Sequence, residues 1–147
     1  MNGENCEMIL GFYLGYLIFS FVKTINMFLQ LNHQKLNVYS ASKEFVLECY
    51  KLSRILPQEE RFSMCSQIRR AALSVHLNIA EGSSRKSEAE RKRYYEITRG
   101  SIIEIDAALD VANDLKYLEN YDTKNLCITM INCFKMLSGL IKASIKE

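Results

Sequence analysis

Between Arg61 and Arg99 the chain carries nine lysines and arginines against four acids, a local charge of +5. Residues 1–60 hold five bases and six acids, and residues 100–147 hold five and seven, so the net charge of +2 hides a basic middle. Its densest part is Arg85, Lys86, Arg91, Lys92, Arg93 and Arg99. Guanidinium and ammonium groups at this density suit phosphate oxygens, which they bind through charge-assisted hydrogen bonds. Arg85, Lys92 and Arg99 step by seven and so predict one helical stripe. Ser87-Glu88-Ala89-Glu90 reads as a capping box that opens a helix among these bases. Cations in a first turn oppose the helix dipole at about 0.3–1 kcal/mol each. A rule broken this often points to an anionic ligand, and Tyr94 and Tyr95 suit either base stacking or a core. Two other readings stay open. Glu88, Glu90 and Glu96 stand three or four residues from several bases and can neutralise them within the helix, and an acidic protein can take the place of a nucleic acid.

Other chemistry finds little support. The two histidines, His33 and His76, belong to no H-E-x-x-H pattern, and no G-x-S-x-G occurs. Gly82-Ser83-Ser84-Arg85-Lys86-Ser87 lacks the ending of a phosphate-cradling Walker loop. Cys6, Cys49, Cys65, Cys127 and Cys133 are odd in number and form no C-x-x-C, and each except Cys6 sits inside an apolar helical pattern, so they predict small buried hydrophobes in a reducing cytoplasm, not a disulfide scaffold or a zinc site. Asp106, Asp110 and Asp114 share a helical face, but no Glu-x-x-His pair accompanies them, and a solvated face is the expectation. Neither an enzyme, nor a cofactor, nor a metal is expected.

The elements that must position the bases are helices. One proline and six glycines in 147 residues leave few breaks. Val38, Ser42, Phe45, Cys49, Leu52 and Leu56 form a seam from Asn37 to about Ile55, which Pro57 ends. Gln58-Glu59-Glu60 suits the start of a second helix, with Ile68, Ala72, Val75 and Ile79 on its seam, Phe62 and Cys65 one turn earlier, and Gly82 as the left-handed residue past its end. The third helix runs from the capping box to about Tyr117 on Thr98, Ile102, Ile105, Leu109 and Ala112, with Tyr94, Tyr95, Val111 and Leu115 widening its apolar face. Gly100 in its interior predicts a close helix crossing. Asp122 or Thr123 caps a fourth helix, which runs to about Ile145. It bears one stripe on Leu126, Met130, Cys133, Leu137 and Leu140 and a second on Ile131, Phe134, Ile141 and Ile145. The second stripe is more than a monomer needs. It predicts an oligomer interface, contact with the N-terminal segment, or a wider core. Four amphipathic helices with short loops predict an all-α, antiparallel up-down-up-down four-helix bundle.

The division expected is residues 1–35 as an N-terminal hydrophobic extension and residues 36–147 as the bundle. Met8–Val22 carries no charge, and the apolar character continues to Leu31. That length can span a bilayer only when residues 8–31 are taken together. Three readings stay open: a helix packed on the bundle or in an oligomer, a membrane anchor, or an upstream extension with Met27 as the natural start.

The stretch Leu56–Leu118 contains Pro57-Gln58-Glu59-Glu60-Arg61-Phe62, Ser66-Gln67-Ile68-Arg69-Arg70-Ala71-Ala72, Asn78-Ile79-Ala80-Glu81-Gly82-Ser83, Arg85-Lys86-Ser87, and Gly100-Ser101 followed by Glu104. This string resembles the four helix bundle proteins, also called 23S rRNA intervening-sequence proteins, and the resemblance extends from Leu36 to the C-terminus. Relatives include the accessory variability protein of diversity-generating retroelements. The resemblance implies an antiparallel four-helix bundle, assembly as a homopentamer, and, from the retroelement relatives, binding to RNA and a reverse transcriptase through a basic surface. It departs from the family at His76, where proline is usual, and at Ser84, where a second glycine is usual. Proline would kink the second helix, so this helix is expected to be straighter.

The motif residues also have physical readings. Asn78 and Glu81 are placed to bond loop amides, and Gly82 to permit the turn. Arg69 and Arg70 point about 100° apart on a helix, so at least one is available to a carboxylate, with Glu81 and Glu104 as candidates in the same or a neighbouring subunit. Arg69, Arg70, Asn78, Glu81, Gly82, Gly100 and Glu104 therefore read as an assembly motif. The function expected is that of a cytoplasmic, non-enzymatic, oligomeric bundle presenting its basic surface to RNA or a nucleic-acid enzyme. The alternative is a structural or protein-interaction module, tethered to a membrane through residues 8–31.

Overall fold

A computed structural model describes Leu29 and residues 31–144. The readings of the N-terminal segment fall on residues 1–28 and 30, outside the described residues. Four helices account for most of the remainder: α1 (Asn37–Leu52), α2 (Met64–Ser84), α3 (Glu88–Asp114) and α4 (Lys124–Ala143). Two 3-10 turns, Asn32–Lys35 and Gln58–Phe62, precede α1 and α2. No strand occurs among the described residues. α1 packs on α2 and α4, and α3 packs on the same two, so α1 faces α3 across a diagonal. This is the antiparallel four-helix bundle.

The seams form the core. Phe45, Cys49, Leu52, Ile79, Ile105, Cys133 and Leu137 are fully buried, and Ile68, Ile102 and Leu126 nearly so. Burial pushes the thiols of Cys49 and Cys133 up to about 12, so they are packed hydrophobes and poor nucleophiles. Cys65 is also buried, but Cys127, expected to be buried, is exposed. Buried hydroxyls satisfy themselves locally: Thr98 Oγ1 donates to the Tyr94 carbonyl (2.9 Å), and Ser74 and Ser101 share a hydrogen bond (2.9 Å) across α2 and α3.

Several boundaries differ from the sequence expectation. Gln58-Glu59-Glu60 belongs to a separate 3-10 turn, and α2 starts at Met64 because Ser63 leaves helical geometry (φ −108°, ψ −100°). Phe62, expected one turn before the seam of this helix, therefore stands in the turn and is exposed, while Cys65 is buried as expected. The Glu60 carboxylate accepts from the Ser63 hydroxyl and from the Met64 amide (3.3 Å), which lowers its pKa and supplies the anion that a helix start favours. Val111 and Leu115 do not widen the buried face of α3 and are half exposed. α3 ends at Asp114, earlier than Tyr117. Lys116 adopts φ 64°, Tyr117 N–H bonds the Ala112 carbonyl (3.0 Å) and Lys116 N–H bonds that of Asn113 (2.9 Å). This is a Schellman end with lysine in the position glycine usually fills. At α4, Asp122 Oδ1 accepts from the Lys124 amide (3.0 Å), while the Thr123 side chain makes no cap bond.

The glycine roles are exchanged. Gly82 is not a left-handed turn residue; it lies inside α2 and no described glycine has positive φ. A Cβ there would stand 2.8 Å from Tyr94 Cβ and 3.1 Å from Tyr95 Cε1, so Gly82 is where α2 and α3 meet. Gly100, read as the close crossing, has open space around it.

Candidate nucleic-acid interface

The basic cluster is organised by the α2–α3 corner. Gly82 lets α3 approach, and the connection shrinks to Arg85-Lys86-Ser87. Ser87 caps α3 by accepting from the Glu90 amide (3.5 Å). Two of the six expected cations brace this corner. Arg85 is the residue after α2, not part of a stripe on α3. It pairs with Glu81, donates to the Tyr94 hydroxyl (2.9 Å) and lies 5.0 Å from the Tyr94 ring centroid. Tyr94 in turn donates to Glu81 (2.8 Å), and the hydroxyl and Arg85 together hold the Glu81 carboxyl below the ordinary carboxylate range. Arg91 reaches back from α3 to the carbonyls of Arg85 (3.1 Å) and Lys86 (3.0 Å). Arg91 therefore closes the connection that Arg85 opens.

Lys86, Lys92, Arg93 and Arg99 are left on the surface or partly exposed. Among the described residues none of them makes an ion pair, and Glu88, Glu90 and Glu96 pair with none of them. The within-helix neutralisation that the i, i+3 and i, i+4 spacings allow is not formed. Lys92 and Arg99 keep their seven-residue spacing on one flank of α3, and Arg93 lies about 100° from Lys92. Tyr95 is buried, so it is a core residue, and Tyr94 is occupied with Arg85 and Glu81. Neither is presented for base stacking.

The assembly motif distributes differently from its expected pairing. Arg69 donates from Nε to Ser53 Oγ (2.8 Å) and lies 5.6 Å from the Tyr50 ring centroid. Arg70 donates to Gln67 Oε1, and Gln67 Nε2 donates to Glu104. Among the described residues neither arginine makes an ion pair with a carboxylate. Asn78 donates to the Ser74 carbonyl (2.8 Å) and hydroxyl (3.0 Å), back along its own helix and not to loop amides. Glu81 serves Arg85 and Tyr94 instead of loop amides. Gly100 is solvent-facing.

Sequence reasoning missed an aromatic stack at the start of α1. Tyr39 stacks on His76 (4.2 Å, 26°), and His33 meets Tyr39 edge-on (4.7 Å). Ser42 Oγ donates to the Tyr39 carbonyl (2.8 Å), so the 2.8 Å contact with His76 Nδ1 assigns that nitrogen as the donor. His76 thus ties the start of α1 to α2, and His33 joins the preceding turn to the same stack through Tyr39. α2 runs unbroken through it, as expected where proline is absent. His33 and Tyr39 are six residues apart, and nothing in that spacing predicts a long-range partner in α2.

The asparates of α3 are exposed, and the described residues contain no group of three or more potential metal-ligating side chains. One described helix, α4, is long and apolar enough to cross a membrane by length and composition, with about a fifth of its apolar window buried. A protein of unknown function from the S23 ribosomal protein family of Bacteroides thetaiotaomicron has a similar solved structure. The TM-score is 0.64 at 24% identity, covering 71% of this chain and 95% of that one. No functionally curated protein matches the chain. The fold shared with that structure agrees with a family match that runs over residues 34–139, through all the helices that build the basic corner and its opposite face, and on it the chain belongs to the 23S rRNA-intervening sequence protein family.

Proposed function

We propose that this protein is a non-enzymatic, homo-oligomeric bundle that binds RNA through Lys86, Lys92, Arg93 and Arg99. The observation that carries the reading is that these four cations stay unpaired while three glutamates stand within helical reach of them. Unneutralised cations close to a helix start supply a field for phosphate with little side-chain pairing to break. The description of the family as 23S rRNA-intervening sequence proteins is the reason RNA is chosen here among polyanions. Arg85 and Arg91 act beneath this surface by fixing the connection from which Lys86 projects.

Salt-dependent RNA binding by the full chain tests the reading. Four phosphate contacts predict a slope of about −3 to −4 in log K against log salt. Changing Lys86, Lys92, Arg93 and Arg99 to Ala together abolishes most of that slope while the helical circular dichroism stays unchanged. Absence of RNA binding at 50 mM salt, or an unaltered slope in the variant, overturns it.

A further inference from the structure

Phe62 is 87% exposed at the end of the Gln58–Phe62 turn, with the Arg61 guanidinium 5.5 Å from its ring centroid. A phenyl ring this far into water, on a short turn held by the Glu60–Ser63 contacts, is a candidate anchor for another surface. The bundle also carries an apolar hollow elsewhere. Ile102 and Ile103 of α3 and Met130, Ile131 and Phe134 of α4 line a cavity of about 280 Å³. An engineered cavity of about 150 Å³ already holds benzene, so this one has room for a phenyl side chain. Ile103 and Ile131 are about half exposed at its mouth. Asp106 and Lys135 also line it, and among the described residues neither makes an ion pair. The turn that carries Phe62 has the opposite charges, Arg61 beside the ring and Glu59 three residues before it.

We propose that Phe62 of one copy seats in the α3–α4 groove of a second copy, with Arg61 against Asp106 and Glu59 against Lys135. This rests on the oligomeric part of the reading above. The two halves of the contact lie on different faces, since Phe62 borders the α2–α3 seam and the groove lies between α3 and α4. The contact is therefore heterologous. Every copy offers one knob and one groove, and repetition builds a closed ring or an open helix, not a two-fold dimer.

Complementary surface variants of the full chain separate this geometry from others by analytical ultracentrifugation. Phe62→Glu destroys the knob and keeps the groove, while Ile131→Glu does the reverse. Each alone is expected to be monomeric with unchanged helical circular dichroism, and an equimolar mixture is expected to give a 1:1 dimer that grows no further. Phe62→Ala and Ile103→Glu serve the same test if either first variant fails to fold. A wild-type oligomer that survives in the single variants, or a mixture that stays monomeric, overturns the knob and groove while leaving oligomerisation standing. A monomeric wild type overturns both.

Discussion

His76 shows how one side chain couples the start of the chain's described part to the middle of a helix. It stacks on Tyr39, donates to Ser42 and sits near Lys43 and His33. Desolvation is the main influence that lowers its pKa below 6.5, and the charges of Lys43 and His33 add to it. The folded protein therefore keeps His76 neutral where the unfolded chain binds a proton. Its contribution to stability is complete above the unfolded pKa of about 6.5 and is lost as pH falls through and below that value. The Tm of the full chain is expected to drop between pH 7.5 and 5.5, and His76→Gln to flatten that drop. An equal drop in the variant refutes the assignment. Glu60 and Glu81 have lowered pKa values, so their losses fall at lower pH and leave this window to histidine. None of this was legible in the sequence, where His33 and His76 match no catalytic pattern and His76 stands out only as a departure from proline, because the stack joins residues 37 positions apart.

The helices themselves were legible because each seam spaces its apolar residues by three and four over several turns. Their ends were less so, because an end depends on local φ and on neighbouring elements. Lys116 takes the left-handed position that terminates α3, which no lysine announces. Gly82 and Gly100 are both helical glycines, and only the approach of a second helix tells them apart. Tyr94 Cβ, fixed by the α3 backbone, lies where a Gly82 side chain would go, whereas Gly100 faces open space. Gly82→Ala must force α2 and α3 apart and is expected to cost about 1–3 kcal/mol. Gly100→Ala meets nothing and removes a flexible residue from an exposed helix interior, with an expected gain of about 0.5–1 kcal/mol. Urea unfolding of the two variants checks the pair, and effects of the same sign contradict the exchange of roles. The side-chain partners of Arg69 and Arg70 were illegible for a related reason. Their position on α2 set their directions, but Ser53 and Gln67 reach them before any carboxylate does.

Across the whole molecule the antiparallel order sorts charge by end. The end of α2 and the start of α3 place Lys86, Lys92, Arg93 and Arg99 together. The far end of α3 and the start of α4 place Asp110, Asp114, Glu119 and Asp122 together, with Lys116 and Lys124 among them. α3 thus opens on Glu88 and Glu90, which suit its dipole, carries its cations from Arg91 on, and ends among acids, which oppose the dipole. A sequence split into thirds reveals this gradient, while the net charge of +2 conceals it. The distinction has a measurable consequence, because Lys92→Ala with Arg99→Ala and Lys116→Ala with Lys124→Ala each remove two positive charges. If RNA responds to net charge, the two double variants weaken binding alike. If it responds to the local field at the α2–α3 corner, only the first pair weakens it, and the salt slope falls by about 2, one for each lost phosphate contact. The second pair leaves the slope in place, because the acids around Lys116 and Lys124 already cancel their field.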